Sequence, residues 1–156
     1  MSKYKPYIIS GILTILVGAL GGIVTYRGMG DFMALEQPPL SPPGWLFPVV
    51  WTILYLLMAF GAARVYVKGG RVISGELILY GVQLVFNFLW CVFFFGLGAY
   101  LFSFIWLMAL LGLVTAMTIA FYGRDKLAGL LQIPYILWLC FAGYLNLFIY
   151  ILNQAA

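Results

Sequence analysis

The sequence contains no histidine, and its four acidic residues face eight basic ones; charged side chains make up 8% of its 156 positions. A soluble domain carries about 25%. Asp31, Glu36, Glu76 and Asp125 lie between apolar runs or at their ends. With no imidazole and no carboxylate in mid-run, the usual general bases are missing. Hydrolytic and metal-dependent catalysis are therefore not expected, and no metal site is expected. Ion-coupled pumps and proton relays need an ionisable residue at membrane depth, and none is present there. Cys91 and Cys140 sit inside apolar runs, where a thiol behaves as a small hydrophobe. There is no internal repeat.

What fills the space is apolar and aromatic: 65% of residues are hydrophobic and 19% carry Phe, Trp or Tyr rings. A membrane-crossing helix needs about 20 apolar residues. Five runs qualify, over residues 7–26, 44–67, 76–98, 100–122 and 127–153. The expected fold class is an all-α membrane protein, a bundle of five transmembrane helices forming one domain over residues 1–156. An odd number of spans argues against a two-fold inverted-repeat transporter. The first run exceeds the roughly 7–15 residues of a signal-peptide core and reads as a retained helix. Its Gly18 and Gly22, four apart, suit close helix packing, within the bundle or between two copies. Lys3, Lys5, Arg64, Lys68, Arg71, Arg124 and Lys126 fall on one side of the spans and Arg27 alone on the other. Basic loops stay inside, so the amino terminus is expected in the cytoplasm and the carboxyl terminus outside.

The loop over residues 27–43 is the one long break. Pro38, Pro39, Pro42 and Pro43 stiffen it, because proline fixes φ and removes a donor. Pro42 and Pro43 suit the first turn of the second helix. A rigid lid thus joins a helix bearing Trp45, Trp51 and Tyr55. On the third helix Gln83, Asn87, Trp90 and Phe94 follow at spacings of one turn and share a face. An amide in hydrocarbon must be hydrogen-bonded, so Gln83 and Asn87 either bond across helices or face a ligand. Trp138, Ala142 and Leu145 share a face of the fifth helix, flanked by Phe141, with Asn146 near the edge. Pro134 should bend this helix and open space beside Trp138, and Ala142 leaves a gap for something flat. Trp45 and Trp106 suit an interfacial belt; Trp51, Trp90 and Trp138 lie deeper. Stacking surface with a few neutral donors suits a planar, largely apolar molecule.

The run Pro42-Pro43-Gly44-Trp45-x-Phe47-x-x-x-Trp51-Thr52-x-Leu54-Tyr55 closely resembles the TspO/translocator-protein family, the tryptophan-rich sensory proteins. Gln83-Leu84-x-x-Asn87-x-x-Trp90-x-x-x-Phe94-Phe95 and Pro134-Tyr135-x-x-Trp138-x-x-x-Ala142-x-x-Leu145-Asn146 are similar to it as well. The resemblance implies a five-helix bundle, commonly a homodimer, that binds porphyrins such as protoporphyrin IX under its first loop. In animal members it also implies cholesterol and synthetic ligands. Carried over by motif, the pocket involves Trp51, Tyr55, Asn87, Trp90, Trp138, Ala142 and Leu145, with Gln83 on the same face. Phe32, Pro42 and Pro43 are the lid residues. The lid departs from the family pattern: Asp31-Phe32 stands where Trp-Tyr is usual, and Leu40 replaces a tryptophan. The animal cholesterol motif is absent after Tyr150.

The expected function is that of a receptor or carrier in a bacterial cell membrane, binding protoporphyrin IX, haem-like tetrapyrroles or similar planar ligands. No cofactor is required; the porphyrin is the ligand, and the partners are membrane lipid and a second copy of the chain, with no nucleic acid. Arg27 is a candidate to pair a propionate. One alternative is light- and oxygen-dependent porphyrin degradation, in which Trp51 and Trp138 would be the reacting residues. Another is a regulatory scaffold that binds nothing, its amides fully paired among helices.

Overall fold

The computed structural model describes residues 3–69, 71 and 73–154. Residues 70 and 72 of the second loop, and the first and last two positions of the expected domain, lie outside them. The chain forms helices α1 (Lys5–Ala34), α2 (Leu46–Gly69), α3 (Gly75–Cys91), α4 (Tyr100–Arg124), α5 (Lys126–Leu130) and α6 (Ile133–Asn153). A π-helical turn, Val92–Gly96, extends α3. No strand occurs among the described residues, and five helical spans are long and apolar enough to cross a membrane.

Three boundaries differ from the sequence reading. The first helix does not stop near residue 26 but runs on to Ala34. Nothing between Arg27 and Ala34 breaks a helix outright, and only Pro38 beyond them does. At 30 residues and 1.5 Å per residue α1 is about 45 Å long, longer than the ~30 Å hydrocarbon core. Phe32 is therefore a buried residue of α1 and not part of the lid. Pro42 and Pro43 likewise precede the second helix instead of opening it: Pro43 C=O accepts from Leu46 N–H at 3.0 Å, closing a turn through Gly44 and Trp45. The last span is broken at Leu131-Gln132, because Pro134 cannot donate into the ladder and its ring excludes a helical carbonyl four residues back.

Local chemistry explains other ends. Ser74 caps α3, its Oγ accepting from Leu77 N–H at 3.3 Å, while Glu76 complements the positive helix end. Gly98 takes φ +62° and lets the chain reverse into α4. The helices close into a ring in which α1 packs on α2 and α3, α3 on α4, and α4 on α5 and α6. Gly28 makes one seam possible: a Cβ there would overlap the carbonyl oxygen of Phe95 in the π-helical turn. At one end of the bundle Arg64 and Lys68 of α2 pair with Asp125, and Arg124 pairs with Glu76 at 2.8 Å. The hydrogen bond from Arg64 is the main cause that holds the Asp125 carboxyl below its ordinary range.

Candidate functional site

α2 and α6 face each other with little direct backbone approach, and aromatic rings span the space between them. Trp51 is the hub. Its ring centroid lies 5.6 Å from Tyr55, 6.3 Å from Trp90, 6.2 Å from Tyr135 and 6.4 Å from Trp138, the last edge-on at 90°. Phe47 closes one side against Trp138 at 6.1 Å. Trp90 stacks on Phe94 at 5.3 Å, and Phe32 of α1 sits over Phe94, Phe95 and Phe47. The π-helical turn widens the spiral, so the neighbours Phe94 and Phe95 both pack inward around Phe32.

Beneath the rings runs a chain of neutral hydrogen bonds. Tyr55 OH donates to Asn87 Oδ1 at 2.7 Å, and Asn87 Nδ2 donates to Tyr135 OH at 2.8 Å. Tyr135 OH in turn donates to Gln83 Oε1 at 2.8 Å, and Gln83 Nε2 contacts Met58 Sδ at 3.5 Å. A second group holds Trp90: its Nε1 donates to Asn146 Oδ1 at 3.0 Å, and Asn146 Nδ2 donates to Tyr100 C=O at 2.8 Å. The amides thus bond across helices and orient tyrosine and tryptophan rings. The indole N–H of Trp138 is buried and meets no acceptor, and Gln132 Oε1, at the start of α6, is likewise buried without a partner.

Of the residues picked from sequence, Trp51, Tyr55, Gln83, Asn87, Trp90 and Trp138 converge on this box. Ala142 and Leu145 are buried in the same core, on α6 beyond Trp138. Pro42 and Pro43 lie in the lid over residues 35–45. Arg27 and Trp45 are exposed, and Trp106 packs on Phe86 at 4.2 Å and donates to its carbonyl. Sequence reasoning missed Tyr135, which ties Asn87 to Gln83; its position one turn before Trp138, on the same face, was the available signal. It also missed Tyr144 and Asn153, which hold the lid. Tyr144 OH donates to Pro39 C=O at 2.5 Å, while the Asn153 amide bonds both the N–H and the C=O of Glu36 at 3.0 Å.

The sequence profile of the TspO/MBR family matches residues 10–152. The chain belongs to the TspO/MBR family. Protein CrtK of Rhodobacter capsulatus is 38% identical to it over 141 residues, 87% of this chain and 85% of that protein. The tryptophan-rich protein TspO of Chlorobaculum tepidum is 34% identical over 90% of this chain and 91% of its own length. The translocator protein of Sus scrofa is 31% identical over 89% and 87%. Membership in the TspO/MBR family, with five apolar spans, makes this an integral membrane protein and supports a membrane receptor role.

Proposed function

We propose that the protein is a receptor or carrier for porphyrin-type molecules and other planar, largely apolar ligands, taken up in the aromatic box. The observation that carries this reading is the buried, unpartnered N–H of Trp138, set among rings where Tyr55, Tyr135 and Trp90 have their hydrogen-bond partners. A buried donor without an acceptor is unfavourable by about 1–3 kcal/mol. A ligand carbonyl or carboxylate would supply that acceptor. Trp51, Tyr55 and Trp90 would give the stacking faces, since flat rings pair with offset or edge-on rings at these separations. Gln83, Asn87 and Tyr135 act behind them by fixing the Tyr55 ring. The setting we propose is a bacterial cell membrane with the basic end of the bundle in the cytoplasm, and the acting unit a homodimer.

The test is a titration of the detergent-solubilised protein with protoporphyrin IX in the dark, read by porphyrin absorbance and by tryptophan quenching. Saturable binding that weakens about tenfold in Trp51→Phe/Trp138→Phe, the loss of roughly one good contact, supports the box. Equal binding by the double variant, or linear partitioning into micelles in both, refutes it.

A further inference from the structure

A cavity of 560 Å³ opens on the side of the bundle, between α1 and α2. It exists because α1 presents Gly18, Ala19 and Gly22 there, so no long side chain fills the seam. Its rim, including Ile15, Ala19 and Gly22 on α1 and Thr52 on α2, is exposed at the level of the apolar spans. Its floor includes Cys91, Tyr55 and Phe47, all buried. Trp51 and Tyr55 are at once wall of this cavity and wall of the aromatic box. The end of the box under the lid is shut instead: Asn153 and Tyr144 hold the loop backbone, and Phe32 with Phe47 packs beneath it.

We infer that the cleft between α1 and α2 is the entrance to the box, admitting planar apolar molecules sideways from the bilayer. This inference rests on the proposed receptor function and adds the route. A ring system that partitions into lipid reaches the rim without crossing water. Its first contacts are the small side of α1 and the faces of Trp51 and Tyr55. A modest rotation of Trp51, the half-buried member of the partition, then joins cleft to box. The occupant is an apolar plane and not a polar headgroup, because the cleft is lined mainly by apolar and aromatic side chains.

Gly22 gives a clean test, because a Cβ added there meets nothing within 4 Å and projects into open space. Gly22→Phe should obstruct the cleft without disturbing the helix. Gly112→Phe, at an equally open position on α4 away from the cleft, is the control. Both proteins are reconstituted in phosphatidylcholine vesicles, and protoporphyrin IX and, separately, pyrene are delivered through the lipid with stopped-flow detection. The expected result is that Gly22→Phe slows association and dissociation together, each by about tenfold, leaving Kd within about twofold; a gate changes rates without changing the bound state. Gly112→Phe should follow the unmodified protein. Unchanged rates in Gly22→Phe overturn the inference, as does faster association in Asn153→Ala with Gly22→Phe unaffected, which would place the entrance at the lid. If pyrene shows the Gly22 effect and porphyrin does not bind at all, the entrance stands and the porphyrin reading fails. If neither probe binds saturably, both fail.

Discussion

Asn153 grips Glu36 from both sides of its backbone: Oδ1 accepts from the Glu36 N–H and Nδ2 donates to the Glu36 carbonyl, each at 3.0 Å. One side chain near the end of α6 thereby substitutes for a neighbouring strand and pins the loop that leads into α2. Tyr144, more than two turns earlier on α6, holds the same loop at Pro39.

Removing the grip should free the loop and spare the bundle. Two hydrogen bonds contribute about 1–2 kcal/mol in sum, so Asn153→Ala should raise amide exchange in residues 36–41 about tenfold. Exchange in α2 and α4 should not change. Equal protection of the loop in both proteins would mean that Tyr144 and the prolines suffice.

The Tyr55–Asn87–Tyr135–Gln83 chain predicts a reversal of the usual order of damage. Asn87→Ala leaves the buried Tyr55 hydroxyl without its acceptor, a loss of about 1–3 kcal/mol. Adding Tyr55→Phe removes that stranded hydroxyl, so the double variant should melt higher than Asn87→Ala alone. A double variant that melts lower would show the two residues to be energetically independent.

Gly28 and Gly30 should respond in opposite directions to alanine. At Gly28 the new Cβ overlaps the Phe95 carbonyl, so α1 must be pushed off the π-helical turn; overpacking of this kind is unfavourable by about 1–3 kcal/mol. At Gly30 there is open space, and alanine gains up to about 1 kcal/mol of helix propensity. Thermal melts in one detergent check both signs together.

Much of this was legible in the sequence because bilayer thickness sets a length, and runs such as residues 100–122 matched it. The convergence of Trp51, Trp90 and Trp138 was legible too, since each lies on an apolar helix at a face set by turn spacing. The extension of α1 was not: Arg27 and Asp31 read as loop, yet a helix can continue past the hydrocarbon into water. The π-helical turn had no local signal, because it follows from how Phe94 and Phe95 pack around Phe32. The grip of Asn153 on Glu36 joins positions far apart in sequence, and no pattern in either neighbourhood announces it.

Acid should expose the pairing at the other end of the bundle. The folded-state pKa of Asp125 lies below its unfolded value, chiefly through the bond from Arg64. Its contribution is therefore fully present above the ordinary aspartate range and is lost as pH falls through the depressed value. The melting temperature should hold steady from neutral pH and fall below about pH 4. Asp125→Asn should melt lower at neutral pH and show a shallower acid decline; parallel curves for the two proteins would remove Asp125 as the cause.

The ion pairs sit at the ends of the spans, and the groups buried between them, Thr14, Gln83, Asn87, Ser103 and Asn146, carry no charge. Moving one elementary charge across the membrane is worth about 2.3 kcal/mol per 100 mV. A rotation of Trp51 moves no such charge through the field. Ligand exchange in polarised vesicles should therefore run at the same rate whatever the voltage, unless the ligand carries the charge itself.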